Sequence, residues 1–359
     1  MQTNPHIKKA LAVGIILLFV GTYTIPSTAQ ETEKPLPTSR GQWLYVGGSG
    51  PGNYTRIQDA INHAFYGNTV FVFHNLSPYH ENIIIKKSIN LIGENKNNTV
   101  IIGDGDNNTI EIRANRVNVS GFNIKNPHWP AIGILISSNF NIISDNNISG
   151  FSGLSKGIEL SSAFYNNISN NIIDNTYGGN IYLTHSAHNS IFKNTIRYTT
   201  GEYSHGGGLY MEYSSSNKII RNLIEHCDEV FMGKSNRNFL YENSIVNCTA
   251  NGDASFSILL SHFNIIYKNN ISHNPRYGIV LYFCIGNQII SNNFLFNHED
   301  AYFYNGFFNH WFGNYWEQPT TLPKMINGSL LFYFPINLFR FDIHPAMFPI
   351  YIPPAGCDT

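Results

Sequence analysis

Charge is what this chain of 359 residues has least of. Asp, Glu, Lys and Arg together make up 13%, about half the usual quarter, and 22 cations stand against 23 anions. With no basic excess there is nothing to neutralise a phosphate backbone, which excludes a nucleic-acid-binding protein. Cysteine is equally sparse, and four residues are too few for a disulfide scaffold. Long apolar runs are missing beyond the N-terminus. The stretch Leu330–Phe339 is interrupted by Pro335 and closed by Arg340, so the mature chain should hold no membrane span. Disorder is excluded in turn, because 42% of the residues are hydrophobic and 14% aromatic. Uncharged polar residues fill the place of the missing charge, with 48 Asn foremost.

The N-terminus reads as an address. Lys8 and Lys9 precede an apolar run from Ala10 to Gly21, and Ser27-Thr28-Ala29 supplies a small-residue cleavage pattern before Gln30. Residues 1–30 are therefore expected to be a signal peptide, with an uncleaved anchor as the alternative, and 31–41 a linker rich in proline. The mature chain is expected to be secreted or held at the cell surface.

From Asn141 onward one pattern recurs, Asn-x-apolar-x-x-Asn-x-apolar. Its first Asn falls at 141, 166, 189, 217, 238, 264, 287 and 309, and its second five residues later, from Asn146 to Asn314. The spacing ranges from 21 to 28 residues and averages 24, which is the signature of a solenoid. Eight and six residues before each first Asn stand two apolar columns, Ile158 to Ala301 and Leu160 to Phe303. The position between them holds Glu159, Tyr182, Tyr210, Phe231, Ser257, Val280 and Tyr302. This alternation is strand patterning, with the first two columns inward and the third outward.

About 24 residues suit three short strands and three turns, one coil of a parallel β-helix. The expected fold is all-β, a right-handed parallel β-helix of nine or ten coils over 82–318. Residues 42–81 should form an N-terminal cap with a short helix capped by Thr55, and 319–359 a C-terminal cap or tail. The recurring Asn should turn the chain, by tolerating left-handed backbone, and bond along its column.

The sequence resembles the secreted right-handed β-helix proteins of the pectin-lyase-like superfamily, and among them the NosD-like domains of archaeal surface proteins. The resemblance rests on Thr55–Ile61 with Thr69-Val70-Phe71-Val72-Phe73, on Ser88-Ile89-Asn90-Leu91-Ile92-Gly93, and on the Asn-x-Ile repeats. The ending Gly313-Asn314-Tyr315-Trp316 with Phe341-Asp342-Ile343-His344-Pro345 also matches. It covers roughly residues 42–350. It implies the fold, and a choice of activities: polysaccharide cleavage on the outer face of one sheet, or copper delivery as in the NosD namesakes. No Met-rich or closely spaced His cluster supports carrying copper over.

Two function classes remain. A lyase or hydrolase would draw on Glu159, Glu212 and Asp228 as its weak catalytic candidates. A non-catalytic surface protein would bind a polysaccharide through the outward rings of Tyr182, Tyr210, Tyr282, Tyr302 and Tyr304, which offer flat apolar faces and hydroxyls. The second is the expected function, for a monomer with a glycan partner, no cofactor and no metal site. The oxygen-rich turn Asp104, Asp106, Asn107 and Asn108 is the place where Ca²⁺ would bind. Cys227 and Cys248 lie one coil apart at equivalent positions and are expected to form a disulfide.

Overall fold

The computed structural model of the protein describes residues 42–357 except 106, 129, 154, 177, 200–206, 250–253, 319–320 and 331–335. The segments 1–30 and 31–41 and residue Asp106 thus lie outside the described residues. Within them the chain winds as a right-handed parallel β-helix with three strands to the coil. One coil runs Lys156–Ser161, Asn167–Ser169, Ile172–Asp174, and the next Ile181–Thr184, Ser190–Phe192, Thr195–Arg197. Each strand pairs in parallel with its equivalent one coil away, giving three faces.

Among the described residues the third face contains 11 strands. Ten of them lie within 82–318, in keeping with the nine or ten coils expected there, and the eleventh, Tyr79–His80, adds a coil without the Asn mark. The stacking begins inside the segment expected to be a cap, where Trp43–Val46 and Thr69–Val72 pair in register and lead on to Asn90–Gly93.

The first-face register agrees with the sequence columns residue by residue. Ile158, Ile181, Leu209, Val230, Phe256, Ile279 and Ala301 are successive partners, and so are Leu160 to Phe303. Every member of both columns is buried. A fully buried Ile or Leu contributes about 1.5–3 kcal/mol, so these stacked columns hold each coil on the next.

The repeated Asn does something more specific than turn the chain. The left-handed residue is the one before it: Phe140, Tyr165, His188, Ser216, Arg237, Phe263 and Phe308 all have φ between 54° and 61°. The Asn itself points inward and is buried. Each donates its Nδ2 to the Oδ1 of the Asn one coil further on, over 2.9–3.3 Å in the column from Asn141 to Asn309. The column from Asn146 to Asn314 repeats this over 2.9–3.1 Å. Asn217 shows the full set. Its Oδ1 accepts Asn189 N–H and Nδ2, and its Nδ2 donates to Asn238 and to the Ser186 carbonyl. Four bonds leave no buried amide group unsatisfied.

Both ends are closed. At the start, the helix Ile57–His63 has Arg56 as its N-cap, with no side-chain cap bond. Glu81 does the work expected of Thr55, accepting the N–H groups of Ile57 at 2.8 Å and Gln58 at 3.0 Å. The Gln58 amide in turn exchanges two bonds with the Ile84 main chain, covering the edge of the strand Ile83–Ile85. At the other end Lys324–Leu330 extends the first face, and Ile336–Asp342 folds back antiparallel onto it.

The tail then runs back along the third face. Asn293 clamps Ile350 by two 2.8 Å bonds, Gly356 N–H reaches the Arg221 carbonyl, and Cys357 N–H reaches Thr195 Oγ1. From Tyr315 to Thr195 this strap crosses five rung spacings, about 24 Å.

Cys227 and Cys248 do stack, three residues beyond the register partners Ile224 and Ile245. Their thiols are nevertheless free and buried. Cys227 Sγ donates to the Glu225 carbonyl at 3.3 Å, and Cys248 Sγ lies 3.8 Å from the Val246 carbonyl. Each thiol is held by the carbonyl two residues before it, and the two are not joined in this structure. Burial pushes the Cys227 thiol up to about 12 and Cys248 well above the usual thiol range.

Candidate functional site

The outward columns of the first face bring most of the expected site residues together. Glu159, Tyr182 and Tyr210 are successive register partners, and Thr184 and Glu212 are partners one outward position along. Rungs at about 4.8 Å force neighbouring rings face to face. Tyr182 and Tyr210 accordingly stack at 4.3 Å and 8°, and Phe231 stacks on Tyr210 at 4.8 Å. Lys156 closes the free end of the row, with its Nζ 3.8 Å from the centre of the Tyr182 ring and 2.8 Å from Glu159 Oε2.

This geometry revises the sugar platform. The faces of Tyr182 and Tyr210 are taken by each other, by Lys156 and by Phe231, and only 7% of Tyr210 is exposed. What the row presents is polar: the Tyr182 hydroxyl, Thr184, Glu159, Glu212 and Lys156, all half-buried. Burial drives the Tyr182 hydroxyl far above the ordinary phenol range, with Tyr210, Glu212 and Glu159 adding to it. Tyr182 donates a hydrogen bond to the Tyr210 hydroxyl, whose pKa is also raised, chiefly by burial. Both tyrosines therefore stay neutral, and both carboxylates lie close enough to Tyr182 to act on it.

Glu159 and Glu212 stand two rungs and two residues apart, about 12 Å between Cα atoms. Asp228 does not join them. It is buried and accepts a bond from Thr249 Oγ1 at 3.3 Å, beside the cysteine column. Asp228 thus stands apart from the other two weak catalytic candidates, while Glu229 lies within electrostatic range of Tyr210.

A second cluster lies further along the face. Tyr282 and Tyr304 stack at 5.0 Å and 2°, and Tyr302 meets Tyr304 at 4.7 Å. Between the clusters, outward Ser257 and Val280 are buried. At the other end of the face a cleft of about 470 Å³ opens between the helix and the first coil, with Ile84, Lys86 and Lys87 in its lining. Ile84 is three rungs before Glu159 in the same column.

Among the described residues no group of three or more His, Cys, Asp and Glu side chains is placed to hold a metal ion. The scattered histidines serve as ring partners instead: His185 stacks on Tyr213 at 4.9 Å and His188 on Tyr165 at 5.0 Å. In the oxygen-rich turn, Asp104 is tied by its main chain to the Asn82 side chain.

Lys156 is the participant that sequence reasoning passed over. Its signal was present, three residues before Glu159 at the start of the same strand.

A family model described as a right-handed beta helix region matches residues 108–230 and 156–315. No curated protein matches the chain in sequence. Among solved structures, tailspike protein 2 of an Escherichia coli O157:H7 bacteriophage is similar at 11% identity and a TM-score of 0.52, covering 74% of this chain and 42% of its own. This chain therefore spans about two fifths of the tailspike. The A-module of mannuronan C-5 epimerase AlgE4 from Azotobacter vinelandii is 11% identical, with a TM-score of 0.46 and coverage of 84% and 95%. Pectate lyase Pel9A is 11% identical, with a TM-score of 0.44 and coverage of 77% and 80%.

Proposed function

The chain belongs to the right-handed beta helix region family, and we propose that it is an exported surface protein whose first face binds an extended glycan without cleaving it. The observation that carries this reading is the polar row Lys156, Glu159, Thr184, Glu212 and the Tyr182 hydroxyl, half-buried on the outward side of one sheet face. Carboxylates and hydroxyls at rung spacing are suited to the repeated hydroxyls of a sugar polymer, because bonds to charged acceptors are the stronger ones. Recognition runs through ring edges and hydrogen bonds, since the ring faces are already stacked.

Binding is favoured over cleavage by the engagement of the carboxylates. Glu159 is held by Lys156 at 2.8 Å and Asp228 is buried, so neither stands free as the partner carboxylate that glycoside hydrolysis requires. The two tyrosine clusters lie on the same face about three rungs apart, which favours a polymer over a single sugar. Export rests on the N-terminal sequence alone. A glycan array probed with the purified protein, paired with an assay for newly released reducing ends or unsaturated sugar products, tests the reading. Retention without release is expected. Release of products would make the face an active site, and absence of retention would reject a glycan ligand.

A further inference from the structure

The end of the solenoid where the chain enters carries a belt of aromatic rings that glycan binding on the first face does not use. On the strand Trp43–Val46, Leu44 and Val46 point inward and are buried, so Trp43 and Tyr45 point out, 43% and 41% exposed. On the next strand Phe71 is the register partner of Tyr45, and Phe73 follows it outward. These four rings form one cluster. Trp43 lies 6.2 Å from Tyr45 and 6.1 Å from Phe71, and Phe73 lies 6.0 Å from Tyr45 and 5.1 Å from Phe71. The turn leading into the second strand adds Phe65 and Tyr66, 73% and 76% exposed.

Four clustered rings on two neighbouring rungs, with two more exposed in the turn before the second strand, leave apolar surface in water, which marks an interaction site. The mixture is informative. Trp and Tyr join an apolar body to a polar tip and gather where a bilayer meets water. One rung beyond Tyr66 stand Lys86 and Lys87. Lys86 is exposed, while Lys87 Nζ bonds the carbonyls at the helix end. Cations on that flank suit an anionic lipid surface. On the other flank the carboxylate of Glu94 is paired with His74 at 2.6 Å. The apolar run Ala10–Gly21 precedes this strand by about 20 residues of sequence, so the chain enters the fold at its aromatic end.

We propose that this belt is a membrane-docking end: the rod stands with Trp43, Tyr45, Phe65, Tyr66, Phe71 and Phe73 in the interfacial layer of a lipid bilayer, leaving the first face free along its length. The test uses the full chain with vesicles of phosphatidylcholine and phosphatidylglycerol brominated high on the acyl chain. Trp311 and Trp316 are buried, Trp129 lies outside the described residues, and subtracting the emission of a Trp43→Phe variant, which keeps a ring in place, isolates Trp43 from all three. The expected result is co-sedimentation with vesicles, a blue shift, and loss of most Trp43 emission to the bromines. No co-sedimentation would overturn the proposal. So would co-sedimentation with Trp43 unquenched, which would assign attachment to another part of the chain. A blue shift that grows with protein concentration in the absence of lipid would assign the belt to a second copy.

Discussion

The carboxylate of Asp342 receives the last amide of the asparagine ladder, its Oδ2 lying 2.9 Å from Asn314 Nδ2 and 2.9 Å from Asn314 N. The same oxygen accepts Trp316 Nε1 at 3.1 Å, and Oδ1 accepts Gly313 N–H at 3.0 Å. Every earlier Asn finds both an acceptor above and a donor below. At the final rung only acceptors are needed, and Asp is the residue that supplies them. Asp342→Ala strands these donors in a buried site, and urea unfolding should show a loss of about 3–5 kcal/mol. Asp342→Asn keeps one carbonyl oxygen and should lose clearly less. Equal losses from the two would contradict the terminating role.

The same logic reversed applies inside the ladder. Asn217→Asp retains an acceptor for Asn189 but sets a buried oxygen against Asn238 Oδ1, where an N–H had donated. The replacement should cost at least as much as Asn217→Ala, about 3 kcal/mol. It should also cost less at low pH, where the carboxyl can protonate and donate. Measured unfolding at pH 7 and pH 4 gives the comparison.

Thiol chemistry reads out both the buried column and the strap. With burial holding Cys227 and Cys284 at about 12, these thiols stay protonated at pH 8 and should be inert to an aromatic disulfide reagent until the protein unfolds. Cys357 is only partly buried, its Sγ donating to the Asn171 carbonyl at 3.1 Å. It should be the first to react, and faster when Asn293→Ala releases Ile350 from its clamp. Mass spectrometry of non-reduced peptides should find Cys227 and Cys248 unlinked.

Much of this architecture was legible in the sequence because solenoids convert sequence spacing into spatial stacking. The columns Ile158–Ala301 and Glu159–Tyr302 agree with the register because a period-2 pattern has only one way to bury its apolar set. The coil before residue 82 was read as part of the cap because Trp43–Val46 and Thr69–Val72 carry no Asn mark. The left-handed turn was assigned one residue late, since a non-Gly residue such as Phe140 at positive φ has no local signature of its own. At the site, the tyrosine stacking was readable from rung spacing. The consequence was not, for stacking consumes the ring faces a sugar would need. The roles of Asp228 and the two cysteines depended on side-chain direction at a turn, which periodicity does not specify. The strap was unreadable because its prolines state only that a regular strand has ended.

Tyr210 illustrates why the function must be tested with care. It is buried between Tyr182 and Phe231, so Tyr210→Ala should lower stability by about 2 kcal/mol whatever it does to binding. A loss of glycan retention in that variant would say nothing about recognition. Its thermal midpoint should fall, in contrast to variants of the half-exposed carboxylates.

The most direct measurement is therefore the affinity of a Glu159→Gln, Glu212→Gln double variant for the glycan retained by the wild-type protein. Each replacement keeps the side-chain shape and removes a charged acceptor. Binding should weaken about tenfold or more, while the thermal midpoint stays within a few degrees of the wild type. Undiminished affinity with an intact fold would contradict the assignment of glycan binding to the first face.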